Sequence, residues 1–342
     1  MTLVVACGAV SVPAQAAGED FYGVNAQALF DLPRGKVDGH LQQMADAGLQ
    51  IVRRDASWDA AEPAPPDSIG RHTYRWERFD REVSAYARHN LRWLPVISYS
   101  TPWAASLPGD PFSPPARVED YAAYAGAVAG RYGSGGSFWR EHPDLPERPA
   151  TSFEIWNEPN AELFWHPQRG AARRYAELFL AARDAIRDVD PAARIMIGGL
   201  APAGPEVTDE HAFVEAMFEH RPELRDGVDA IALHPYAPDA DGVLARIRAF
   251  RQTLDELGLG RVPIEVTEVG WTTTETPERE RASFLRRLVE ELPQIGSNVT
   301  SLIPHTWVTA EEDPSDREQW FGIYNADGSP KPSGEAYLGA VR

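Results

Sequence analysis

From Phe21 onward, short apolar runs alternate with segments whose apolar residues recur every three to four positions. The runs predict strands at Phe21–Asn25, Gln50–Arg54, Leu91–Ser98, Ser152–Asn157, Ala193–Ile197, Asp229–His234, Ile264–Glu268 and Ser301–Trp307. The helical spacing predicts helices at Val37–Ala47, Trp76–His89, Val118–Tyr132, Ala171–Val189, His211–Phe218, Gly242–Leu257, Glu278–Leu292 and Gly334–Val341. In the second of these, Phe79, Val83 and Tyr86 fall on one face. Several strands are followed by Asp, Asn, Pro or Gly, the punctuation of βα loops. Eight βα units with no linker or composition break predict an α/β fold, a single-domain (β/α)8 TIM barrel over residues 18–342. A doubly wound sheet is the alternative. It usually has fewer strands, and Gly23-Val24-Asn25-Ala26 is not a phosphate-binding turn.

Two of the strands close on an acid. Phe153-Glu154-Ile155-Trp156-Asn157-Glu158 stops at Pro159, which has no N–H for a sheet and pushes Glu158 out of the α region. Ile264-Glu265-Val266-Thr267-Glu268 closes in the same way before Val269-Gly270-Trp271. In a parallel barrel the C-terminal rim is where catalytic groups gather, so both glutamates are expected there. Strand parity puts Glu154 inside the barrel with Glu158, and Glu265 on the helix side.

The other strands deliver a consistent set to that rim: Arg53, Arg54, Asp55 and Trp58; Ser100, Thr101 and Trp103; Asn157; His234 and Tyr236; Trp271; His305 and Trp307. Two carboxylates can act as acid/base and nucleophile at a glycosidic carbon. An amide can bond a sugar hydroxyl, and indole faces stack on sugar rings. Each also has a plainer reading: Arg53 as an ion-pair partner of Glu154, His234 as a satisfied core histidine, and Trp58, Trp103, Trp165 and Trp271 as packing residues.

Trp156-Asn157-Glu158-Pro159 on the fourth strand and Thr267-Glu268-Val269-Gly270-Trp271 on the seventh resemble the clan A retaining glycosidases. Val52-Arg53 ahead of Trp58, His234-Pro235-Tyr236 on strand six and Trp307 on strand eight fit the same pattern. Within the clan the chain is most similar to glycoside hydrolase family 39 and its bacterial relatives, through Thr101-Pro102-Trp103-Ala104 and the tail from Trp320 to Tyr337. The resemblance implies Glu158 as general acid/base and Glu268 as nucleophile, held ionised by Arg53 and Tyr236. It implies a sugar-hydroxyl contact for Asn157, a subsite floor at Trp307, and a substrate-binding or supporting role for His234. Trp103 and Trp271 join the expected substrate-binding set. Exo-xylosidases of the family generally carry an added β-sandwich region, whereas this sequence ends with the eighth helix. An endo-acting polysaccharide hydrolase is therefore expected at least as much as a β-xylosidase-like exo-enzyme. A non-catalytic glycan-binding barrel and an inverting hydrolase are the remaining alternatives.

Composition narrows the partners. A formal charge of −18 argues against nucleic acid and anionic lipid and suits a neutral glycan. No cofactor or metal is expected: there is no His-Glu-x-x-His and no cysteine set, and no Gly-x-Ser-x-Gly elbow points to an esterase. Leu3 to Val12 is apolar and leads into Pro13-Ala14-Gln15-Ala16-Ala17, a small-x-small cleavage pattern. The basic stretch that usually precedes such a run is missing, so residues 1–17 are expected to be a shortened signal peptide of a secreted protein. The run is far short of the ~20 apolar residues a membrane span needs. Removal of the leader would take away Cys7, the one cysteine, and leave a disulfide-free chain, expected to be a monomer.

Overall fold

The computed structural model describes residues 20–342. The leader expected at residues 1–17 lies outside them. Eight parallel strands follow one another around a single sheet: β1 (Gly23–Asn25), β2 (Ile51–Ser57), β3 (Arg92–Ser98), β4 (Ser152–Ile155), β5 (Arg194–Leu200), β6 (Ala230–Leu233), β7 (Ile264–Val266) and β8 (Val299–Leu302). The ring closes where Tyr22 bridges Leu302 and the Asn25 N–H donates to the Pro304 carbonyl at 3.0 Å. Closure leaves no unpaired edge.

Among the described residues, ten α-helices surround the ring: α1 (Arg34–Asp46), α2 (Trp58–Ala61), α3 (Glu77–Arg88), α4 (Val118–Tyr132), α5 (Ser137–Glu141), α6 (Ala171–Val189), α7 (Glu210–His220), α8 (Ala240–Glu256), α9 (Glu278–Glu291) and α10 (Pro332–Val341). The short α2 and α5 lie in connections where the sequence pattern predicts no helix. No helix among the described residues is long and apolar enough to cross a membrane.

The outward side chains of the strands pack against the helices in one large apolar cluster. Inside the barrel the apolar filling is small: Leu94, Met196, Ala230, Ala232 and Ile303. Successive strand residues alternate sides, so Arg53, two positions after Ile51, points into the space above that plug. It is buried there with Asn25 and Glu154. A barrel interior with so few large apolar groups near its rim has room for a charged layer.

Several boundaries differ from the sequence pattern, and those that bear on the site lie at the rim. Strand β4 ends at Ile155, because Trp156 and Glu158 take left-handed backbone conformations with φ of 66° and 45°. Glu158 therefore reaches the rim on a turn, held by its own N–H donating to the Gly199 carbonyl at 2.9 Å. Strand β5 runs through Gly198-Gly199, a pair that resembles a turn in sequence. Here the glycines carry a β-irregularity against β6. Strand β8 starts at Val299 and leaves the ladder after Leu302, five residues before the expected end. Glu265 is not on the helix side: it pairs with Arg194 at 2.7 Å. Those residues sit on β7 and β5 with β6 between them, so the contact crosses the barrel interior.

Candidate active site

Arg53 is the hub of the site. Its Nε donates to Glu154 at 2.7 Å, and its Nη2 to Glu154 at 2.8 Å and to the Asn157 side-chain oxygen at 2.9 Å. Its Nη1 donates to Glu268 at 2.6 Å and to the Asn25 side-chain oxygen at 3.3 Å. A guanidinium has five N–H donors, and all five are used. The two readings of Arg53 are thus both realised: one fork holds the buried Glu154, the other holds Glu268.

Glu268 also accepts from the Tyr236 hydroxyl at 2.9 Å. Burial acts to raise the Glu268 pKa. The His234 ring, the Arg53 guanidinium, the His305 ring and the Tyr236 hydroxyl together override it and hold this carboxyl well below its ordinary 4.5. Tyr236 is displaced the opposite way, its phenol pushed up by burial and by the charges of Glu268 and Glu158.

Glu158 has a different environment. Among the described residues its carboxylate is bonded by the Nδ1 of His234 alone, 2.7 Å away. Side-chain exposures of 13% for Glu158 and 14% for Glu268 leave a part of each side chain accessible. One oxygen of each, with a His234 ring nitrogen, lies within 4.8 Å of the others. These three residues are also the one compact metal-capable group among the described residues. The Arg53 guanidinium, already against Glu268, opposes a cation there.

The structure departs from the expected binding set at His234, Trp307 and Trp271. His234 is fully buried, with Nδ1 on Glu158 and Nε2 at 3.1 Å from the Thr267 hydroxyl, so it supports Glu158 rather than touching a ligand. Trp307 is likewise fully buried and cannot floor a subsite. Its N–H donates to His40 of α1 at 2.9 Å, and its ring stacks on Tyr324 at 4.0 Å. Because the chain leaves β8 so early, Trp307 turns toward the helix layer and His305 takes the pocket side. Trp271 is 5% exposed, packed on Phe284 with its N–H on the Ala237 carbonyl. Trp103 is half-buried, edge-on to Trp58 at 5.4 Å, and its N–H binds the Glu62 carbonyl. It belongs to the loop wall and makes no bond to the carboxylate network. Asn157 is in the network: its side-chain oxygen is taken by Arg53, and its amide nitrogen makes no bond to a described residue.

Thr267, Tyr99 and Gly199 have no role in the sequence reading, and His305 is placed at the rim by it without one. Thr267 sits between His234 and Glu154, its hydroxyl 3.4 Å from the latter. Its position directly before Glu268 was the available signal. Half-buried Tyr99 has its phenol pushed well up by burial and by the charges of Asp55, Glu158 and Glu268. His305 has its Nδ1 3.9 Å from Glu268. Gly199 gives its N–H to Glu154 at 2.8 Å, and a Cβ there would lie 1.9 Å from His234 Nε2. Replacing Gly199 by Ala must displace the imidazole and break its bonds to Glu158 and Thr267. The expected cost is about 1–3 kcal/mol, seen as a drop of several degrees in the unfolding temperature with weakened catalysis.

A parallel eight-stranded barrel whose C-terminal rim brings together two facing glutamates, one clamped by arginine and tyrosine, has the layout of the glycosidase barrels. The glycosyl hydrolase catalytic core family matches residues 151–337, more than half of the chain, and the chain belongs to that family. It is similar to the β-xylosidase of Geobacillus stearothermophilus, with 23% identity over 250 residues covering 64% of this chain and 46% of that protein. It thus spans just under half the length of that relative. Among solved structures, a family 39 glycoside hydrolase from Bacteroides cellulosilyticus superposes with a TM-score of 0.68 at 22% identity, covering 95% of this chain and 64% of the other. A monomeric β-xylosidase from Caulobacter crescentus gives 0.69 at 20% identity, with 95% and 69% covered. The family 53 catalytic domain of Ignisphaera aggregans gives 0.62 at 17%, with 97% and 99% covered. At such identities these likenesses establish the shared barrel fold.

Proposed function

We propose that the protein is a secreted retaining glycoside hydrolase that cleaves O-glycosidic bonds of a poly- or oligosaccharide, with Glu268 as nucleophile and Glu158 as acid/base. The observation that carries this reading is the close approach of two carboxylates with unlike partners. One oxygen of each within 4.8 Å of the other suits the short separation of double displacement, about 5–5.5 Å between carboxyl groups, better than the roughly 6.5–9.5 Å gap that admits a water. Glu268, clamped by Arg53 and Tyr236, is the anion that attacks the anomeric carbon as the glycosidic C–O bond breaks. Glu158, lacking a guanidinium partner, delivers its proton to the leaving oxygen. It then takes a proton from the water that cleaves the ester on Glu268. His234 orients this acid: a tautomer donating from Nδ1 to one Glu158 oxygen leaves Nε2 to accept from Thr267.

The test is a panel of aryl glycosides and polysaccharides, headed by β-xylosides because two relatives bear that activity in their names. The anomer first released is followed by NMR. Retention supports the proposal, inversion replaces it with a single displacement, and binding without turnover makes the barrel a glycan receptor. Products from long chains separate endo from exo action.

Tyr236 supplies a pH prediction. A depressed pKa means that the stabilising contribution of Glu268 is complete above its ordinary value of 4.5 and is lost only as pH falls through the depressed folded value. Tyr236→Phe removes a donor to the anion, so the Glu268 pKa rises. The acid limb of kcat/KM is expected to move up in pH, with a loss of about 10- to 100-fold at the optimum. An acid limb that stays in place would remove Tyr236 from the control of Glu268.

A further inference from the structure

We propose that His305 is a specificity-determining residue: its Nδ1 binds one hydroxyl of the sugar seated over Glu268, while Glu318 fixes the ring from Nε2. This inference rests on the glycosidase reading and adds a recognition contact to it.

His305 Nδ1 is buried and makes no hydrogen bond within the described structure. Buried polar atoms are seldom left unpaired, and this one lies beside the Glu268 carboxylate. Its nearest charged neighbour on that side is Glu268 Oε2 at 3.9 Å, beyond hydrogen-bond range. The gap fits a third atom. An oxygen about 2.8 Å from each of two atoms so spaced subtends roughly 90°, which a hydroxyl can satisfy by accepting from Nδ1–H and donating to Glu268.

The ring is held ready for that contact. Nε2 lies 3.3 Å from Glu318, and the ring meets Phe321 edge-on at 4.9 Å. Phe321 also backs Tyr236, at 6.0 Å. The main chain is pinned as well. The His305 N–H donates to the Val269 carbonyl at 2.9 Å, and a Cβ on Gly270 would lie 2.2 Å from the His305 carbonyl oxygen. Burial and Arg53 favour the neutral ring, but Glu268 and Glu318 outweigh them and raise its pKa, which keeps a proton available for Nδ1. The expected platform, Trp307, is turned away, so His305 replaces a stacking face with a directional donor on this side of the pocket.

The test uses an aryl glycoside that the wild-type enzyme cleaves, together with its set of monodeoxy analogues. His305→Phe keeps the packing on Phe321 and removes both nitrogens. His305→Gln places an amide nearer Nε2, and His305→Asn places one nearer Nδ1. Phe and Gln variants are expected to lose about 10- to 100-fold in kcat/KM on the parent glycoside, and Asn markedly less. On one deoxy analogue, the penalty for His305→Phe should shrink to about twofold or less, because the contacted hydroxyl is already gone. Equal penalties on every analogue, or Gln outperforming Asn, would overturn the proposal. If the Phe variant does not fold, the Asn and Gln variants on the same analogues decide it. Failure of the underlying glycosidase reading looks different: the wild-type protein itself would cleave none of the glycosides.

Discussion

Glu268→Gln is expected to lower kcat on any glycoside substrate by about 10⁴- to 10⁶-fold while leaving the fold and glycan affinity largely intact. The amide cannot form the glycosyl ester, yet it keeps the shape and still accepts hydrogen bonds from Arg53 and Tyr236, which hold the carboxylate at 2.6 and 2.9 Å. Glu158→Ala should behave differently. Glycosides with acidic phenol leaving groups need little protonation, so their first bond cleavage is expected to survive while hydrolysis of the ester on Glu268 becomes limiting. Added azide should then restore turnover and give a product of retained configuration. A burst of released phenol measures the first step and the azide product measures the second. If Glu268→Gln retains near-normal turnover, or azide gives the inverted product with Glu158→Ala, the assigned roles are wrong.

Arg53→Met is expected to destabilise the barrel strongly. Arg53 and Glu154 are 1% and 0% exposed. Removing the guanidinium leaves the Glu154 carboxylate buried with the Gly199 N–H as its donor among the described residues. Breaking such a pair costs about 3–5 kcal/mol, whereas replacing both partners by apolar groups is often close to neutral. The double variant Arg53→Met, Glu154→Met should therefore recover much of the lost unfolding midpoint in urea. It should not recover activity, because Glu268 and Asn157 lose their shared donor in both variants. Recovery of stability without activity separates the two forks of Arg53. A single variant as stable as wild type would show that Glu154 is neutralised or solvated some other way.

Much of the barrel could be read from the chain because local chemistry sets it. Apolar runs alternating with helical periodicity locate eight βα units, and Pro159 marks the end of the acid-bearing segment, although the strand itself already stops at Ile155. The rim was less legible. Gly198-Gly199 reads as a turn by composition, yet it extends β5, because glycine there serves the close approach of His234 and of the Trp156 carbonyl. Glu265 was placed on the helix side by counting back from Glu268. The strand ends at Val266, and the alternation of sides does not carry beyond it.

The same limit governs the site. That Glu158 and Glu268 stand at the ends of two strands, with Arg53, Asn157 and Tyr236 at the ends of others, follows from the sequence alone, since strand order and direction bring those ends to one rim. Which side chains face the ligand does not follow. Trp307 and His305 are two residues apart, and only the early departure of the chain from β8 sends the indole to His40 and Tyr324 and the imidazole toward Glu268. Orientation beyond a strand end depends on bonds to residues distant in sequence, such as the Asn25 carbonyl accepting from the backbone N–H of Trp307, and those partners exist only once the barrel has closed.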